Sequence, residues 1–447
     1  MEILELLKTV GIFIGALMIL VFIHELGHFL TAKWFRMRVE RFSIGFPPRI
    51  WGFQKGDTDY CIGITPLGGY VKISGMIDES MDTEHLDAEP EPWEFRAKPV
   101  WQRMIVIVGG VVFNMILAFA IYFGLTYSNG KQVIPIEDMT GIYVPESSIL
   151  AEIGFQTNDK VVGVNGERVS YFNDLVSASE LTAEELTYQV MRNGQEVDVS
   201  VSSNYLDSVQ TRGFLDLAYI LPSIPQTIQA GSPADQAGLE SGDRIVSVNG
   251  NEVNYWVQLV EMIQESDSTL NFQIARADSL FDLTITPDPE TNTIGIGPPT
   301  TNLSVIGAKR IEYGLGESIV AGYNETIEQT VGIVQGFARM LSGDISLRQN
   351  LGGPIAIASI TRQATDSAGW IGFWNITALL SITLAIINIL PIPALDGGHL
   401  VFLIYEGITR QEPSEKIRMA AQQIGFFIMI GLFIFVMFND AFKYFGF

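Results

Sequence analysis

Apolar residues gather in four long stretches, about Val10–Ala32, Met104–Thr126, Phe373–Leu395 and Ile424–Phe438 with its flanks. Each is close to the ~20 residues a helix needs to cross a bilayer core, so the pattern predicts four transmembrane helices. The fourth has the shortest uninterrupted core. Glu2 and Glu5 precede the first stretch where a cleavable leader would carry positive charge, so it reads as a retained span. Between the second and third stretches the period shortens. Alternating runs such as Arg244–Val248 end in Asn-Gly, the signature of short hairpins. Leu315–Leu341 has helical spacing but carries Glu317, Glu325, Glu328 and Arg339, which predicts a helix on a surface and not across the membrane. Cys61–Gly75 also alternates, with Gly68-Gly69 at the place of a hairpin turn.

The middle region repeats itself. Ser148–Val169 and Ser232–Val253 align without a gap at an offset of 84 residues, and eight of 22 positions are identical, enough to predict two similar β-rich modules. Gly154 and Gly238, Asp159 and Asp243, and the Asn165-Gly166 and Asn249-Gly250 turns fall in register. Ten Lys or Arg lie between Lys33 and Arg103, against twelve in the much longer Ser128–Trp370. The positive-inside rule therefore puts the loop between the first two spans in the cytoplasm, and the modules and both termini on the far side. Charged residues make up 17% of the 447, below the ~25% of soluble proteins, which fits a membrane protein with sizeable soluble parts. A net charge of -23 argues against nucleic-acid binding. One cysteine, Cys61, rules out an intramolecular disulfide and reads as a small apolar strand residue. The acidic stretch Ile77–Glu94, with His85, reads as a solvated loop.

His24, Glu25 and His28 stand inside the first apolar stretch. Residues four apart share a helix face, so the two imidazoles come together and Glu25 lies beside them. Two histidines supply half of a tetrahedral zinc site, and a third protein ligand leaves one position for water. An ordinary polar face is a poor explanation here, because ionisable groups in a membrane span are costly and mark function. His85 and His399 are the other histidines. Asp396, where two prolines break the third stretch at the same cytoplasmic end, is the favoured third ligand.

The stretch from Gly231 to Gly250 resembles bacterial PDZ domains, and its earlier copy does so more loosely. HELGH in the first span, NILPIPALDGG (Asn388–Gly398) in the third and PDZ-like repeats between them together resemble the site-2 protease family of intramembrane zinc metalloproteases, in its branch of sigma-E regulators. The likeness covers essentially the whole chain. It implies a polytopic α-helical membrane protein with four transmembrane helices, a membrane-associated β-hairpin and two inserted β-rich PDZ domains. The divisions are 1–126, two PDZ-like domains at 127–220 and 221–307, a surface helical segment at 308–371, and the last two spans at 372–447. The family implies that His24, His28 and Asp396 bind one Zn2+ and that Glu25 is catalytic. Asn388, Pro391 and Pro393 would then accommodate substrate, and the β-element around Gly68 and Gly69 would offer its edge to the unwound substrate backbone. Before Asn114 the chain has Gly109 and Gly110, where the family often has Gly-Pro. The implied work is the second cut of a pre-trimmed anti-sigma factor in a bacterial inner membrane, and the clearing of remnant signal peptides. The PDZ domains would be periplasmic, binding peptides or chain ends or excluding bulky substrates. Two other readings compete: a membrane-anchored PDZ scaffold with a structural or inactive zinc site, and a soluble zinc peptidase, which the long apolar helix before Asp396 disfavours.

Overall fold

The computed structural model describes residues 2–76, 89–139, 141–146, 148–172, 175, 186–202, 220–266, 268–277, 279–289, 291–299, 307–342 and 352–445. His85 and most of the acidic loop lie outside the described residues. The chain divides into two compact units, one of Met1–Asn129 with Tyr313–Phe447 and one of Gly130–Glu312.

Among the described residues the first unit is built on six α-helices: α1 (Glu2–Trp34), α2 (Val100–Asn129), α3 (Leu315–Ser342), α4 (Pro354–Ile389), α5 (Asp396–Thr409) and α6 (Glu415–Phe445). Among the described residues four segments, Leu7–Trp34, Val100–Asn129, Pro354–Ile389 and Lys416–Asp440, are long and apolar enough to cross a membrane. With the small antiparallel sheets, this is the architecture of a polytopic membrane protein with β-rich parts. The helices α1 and α2 cross through glycine. A methyl on Gly27 would collide with the carbonyl of Gly109 and lie 2.9 Å from the amide of Gly110. Small residues let backbones approach where lipid gives no hydrophobic push between helices. The helix α3 inverts the expected burial. Ser318, Gly322 and Thr326, spaced four apart, are its buried residues, and a methyl on Gly322 would stand 2.7 Å from Phe123 N of α2. Its apolar Ile319, Tyr323, Ile327 and Val331 are exposed.

Two element boundaries differ from those read in the sequence. The third apolar stretch is the second arm of α4, which begins at Pro354 and breaks at Gly369 (φ 59°, ψ -138°). Backbone of that kind is essentially closed to residues with a Cβ. The helix ends at Ile389, and Leu390–Leu395 is a loop, because Pro391 and Pro393 cannot continue the ladder. The second difference concerns β1 (Val39–Lys55) and β2 (Thr58–Ile73). Their tight turn is at Gly56-Asp57, where Lys55 pairs with Thr58, and Gly68-Gly69 lies within β2. The beginning of β1 is flanked twice, since Ile44 pairs with both Ile62 and Gly69. The glycines serve packing instead of a turn: a methyl on Gly69 would press on Ser43 O, and one on Gly68 on the Phe46 ring.

In the second unit the sequence repeat becomes a structural one. Strands Lys160–Val164, Glu167–Arg168, Leu186–Arg192 and Gln195–Val201 form one four-stranded antiparallel sheet, and Arg244–Val248, Asn251–Glu252, Leu270–Arg276 and Ser279–Ile285 form another in the same order. Arg192 clasps buried Asp159 and the Gly154 carbonyl, and Arg276 clasps Asp243 and Gly238 in the same way. One apolar cluster holds Phe155 and Tyr188 together with Ile245 and Phe272. Lys131–Val133 pairs with Lys309–Ile311, closing the unit where the chain enters and leaves it.

Candidate metal centre

The helix α1 presents His24 and His28 one turn apart, both buried, with their ring centroids 4.8 Å apart. Their Nε2 atoms are separated by 3.3 Å. Asp396 enters from a distant part of the chain as the first residue of α5, and its Oδ2 lies 3.2 Å from His24 Nε2 and 3.3 Å from His28 Nε2. The close return of the chain after α4 requires glycine. A methyl on Gly397 would collide with the carbonyls of Ile389 and Leu390, and one on Gly398 would lie 2.5 Å from Ile392 O. From the far side, Gly425 of α6 packs on the Pro393 carbonyl.

The histidines are aimed from α2. The Nδ1–H of His28 donates to Val106 O at 2.8 Å, which leaves the Nε2 lone pair facing Asp396. Asn114, fully buried, has its amide 3.3 Å from His24 Nδ1, and its Oδ1 lacks a hydrogen-bond partner. With the amide turned over, Oδ1 accepts Nδ1–H and His24 Nε2 is freed as a ligand atom. Ser381 of α4 donates to Asn114 O at 2.8 Å. Gly110 leaves room for the rings, since a methyl there would sit 2.5 Å from His28 Nε2 and 2.6 Å from His24 Cε1.

Three lone-pair atoms thus face one another, and Asp396 Oδ2 is buried without a hydrogen-bond partner. One proton could satisfy one edge of that triangle, whereas a cation inside it satisfies all three. A tetrahedral ion with bonds of about 2.0–2.1 Å has ligand edges of about 3.3–3.4 Å. The edges here are 3.2, 3.3 and 3.3 Å, so the donor set fits zinc.

Of the other expected site residues, Glu25 is buried, and a methyl on Gly69 would stand 3.1 Å from its Cγ. Asn388, near the end of α4, has Nδ2 3.4 Å from His24 Nε2. Pro391 and Pro393 form the loop that delivers Asp396, while Gly68 faces Phe46 and not the triangle. His399 is three residues into α5 and is not part of the triangle, which His24, His28 and Asp396 form. Val106, Ser381 and the positioning work of Gly109, Gly110 and Asn114 were not legible from motif spacing. A Gly-Gly pair followed by an asparagine inside an apolar span was the available signal.

The chain matches the profile of Peptidase family M50 over residues 12–432. It belongs to that family. It is 31% identical to the Regulator of sigma-E protease RseP of Escherichia coli K12, over 98% of this chain and 99% of that one. It is 29% identical to the Regulator of sigma E protease of Haemophilus influenzae, again over 98% of this chain and 99% of the other. This M50 peptidase is therefore a zinc metalloprotease of the site-2 type.

Proposed function

We propose that His24, His28 and Asp396 hold a single zinc ion and that Glu25 is the base of a peptidase acting on peptide bonds within transmembrane segments. The observation that carries this reading is the triangle of Nε2, Nε2 and Oδ2 atoms 3.2–3.3 Å apart, next to a buried glutamate on an apolar helix. Zinc held there would lower the pKa of a bound water to about 7 and polarise a carbonyl. Glu25 takes the proton from the attacking water and returns it to the leaving amine, base first and acid second. Asn388 offers its amide N–H to the substrate carbonyl or backbone.

A membrane helix hides its carbonyls in its own hydrogen bonds, so the substrate must be unwound before attack. Gly69–Ile73 runs beside Glu25 and pairs on one edge with the beginning of β1. Its other edge has no strand partner among the described residues and is where an extended substrate adds. Gly68, Pro391 and Pro393 act indirectly, by shaping that strand and the loop that carries Asp396.

The names of the relatives support a place in sigma-E regulation. In this reading the chain sits in a bacterial inner membrane and makes the second cut of a trimmed anti-sigma factor, with remnant signal peptides as further substrates. The basic residues between Lys33 and Arg103 support a cytoplasmic active-site end and periplasmic modules. Those modules are PDZ-like, and they admit trimmed substrate by binding its new chain end or by excluding bulk. The test is cleavage of a single-pass membrane substrate in bilayers, comparing wild type with Glu25→Gln at equal zinc occupancy. Glu25→Gln is expected to lose about 10²-fold or more in kcat while keeping its zinc. Equal rates would refute the assignment, and no cleavage by either protein would favour a scaffold.

A further inference from the structure

The beginning of α2 carries a buried charge that the peptidase chemistry does not use. Arg103, with 6% of its side chain exposed, donates from Nη2 to Glu406 Oε1 at 2.5 Å, across 303 residues of chain. Glu406 is itself only 12% exposed. Glu412 lies 3.7 Å from Nη1, and the guanidinium carbon is 6.0 Å from the centre of the Phe95 ring. Around the pair, Val106 and Ile107 of α2 and Leu403 of α5 are buried in one cluster. A buried ion pair adds little net stability, because desolvation offsets the attraction. Its directional bonds do define a register, which apolar contact alone leaves free to slide.

The two helices it joins are the ones that aim the ligands. One turn beyond Arg103, Val106 O accepts the Nδ1–H of His28, and about a turn further on Gly110 lies against both imidazoles. Ten residues before Glu406, Asp396 opens α5, a rise of about 15 Å along the helix. The loop Leu390–Leu395 separates α5 from α4, so helical continuity does not set the axial position of α5.

We propose that Arg103 and Glu406 are positioning residues, whose buried ion pair sets the register of α5 against α2 and thereby holds Asp396 at metal-binding distance from His24 and His28. This rests on the zinc reading above. It separates fold from function, because replacing a buried pair by apolar residues of similar size is often neutral or stabilising.

The experiment measures zinc affinity by chelator competition on the full-length protein, with thermal unfolding, kcat and KM beside it. The variants are the double change Arg103→Met with Glu406→Leu, and Glu406→Gln alone. The double variant is expected to unfold at or above the wild-type temperature, to bind zinc about 10–100-fold more weakly, and to lose kcat with KM held within about twofold. Glu406→Gln is expected to lose both stability and zinc affinity. Wild-type zinc affinity in a folded double variant overturns the proposal. So does failure of the double variant to fold, which would make the pair structural only. If the wild-type protein itself binds no zinc, the zinc reading fails instead.

Discussion

At Gly110 two imidazoles occupy the space where a side chain would begin. Gly110→Ala is expected to push His24 and His28 off their shared target and to weaken zinc binding by about tenfold or more, read by chelator competition. Gly124→Ala, on the same helix with nothing within 4 Å, is the matched control and should leave affinity unchanged. HELGH could be read in the sequence because its geometry is local: four residues along any helix bring two rings together. Asn114 and Val106 could not, because their bearing on the histidines depends on how closely α1 and α2 cross at Gly27 and Gly109. The Gly109-Gly110 pair stood out in the sequence only as a departure from Gly-Pro.

Glycine is also what misled at the level of elements. Gly68-Gly69 carries the composition of a turn, yet it lies in β2, where close approach to Ser43 and Phe46 demands the absence of a side chain. Gly369 gave no signal of its own and breaks α4. Gly369→Ala should cost about 1–3 kcal/mol, seen as a lower unfolding temperature, whereas Gly336→Ala in open space on α3 should be neutral or stabilising. At the start of α4, Asp440 of α6 accepts the backbone N–H groups of Gly353, Ile355 and Ala356 at 2.8, 3.0 and 3.1 Å. This cap from a distant helix is invisible to local pattern, and Asp440→Ala should cost about 1–2 kcal/mol. In the second module, burial alone would raise the Asp243 carboxyl. Hydrogen bonds from Arg276 and from the Glu240 amide more than offset it, holding the carboxyl below its usual range. A carboxylate whose pKa is lowered by folding stabilises fully above about pH 4 and loses that contribution as pH falls through its folded value. The protection of the amides in Leu270–Arg276 against exchange, relative to their intrinsic rate at each pH, should therefore fall on acidification below about pH 4, and Asp243→Asn should flatten that dependence.

On the scale of the whole molecule, the four apolar helices and the tandem repeat were the most legible features, because run length and an offset of 84 residues survive any uncertainty about packing. The clasps of Arg192 on Asp159 and Arg276 on Asp243 preserve that offset in three dimensions, although the arginines lie outside the aligned stretch that revealed it. If the modules act as a filter, removal of Gly130–Glu312 with a short flexible replacement should let untrimmed substrate be cut as fast as trimmed, while the full chain cuts only the trimmed form. The central claim, a zinc ion held between α1 and α5, is tested most directly by the metal content and turnover of bilayer-inserted protein, wild type against Asp396→Ala. One zinc per wild-type chain is expected, with loss of both metal and cleavage in the folded variant. Wild-type protein devoid of zinc, or a variant that retains full turnover, would contradict it.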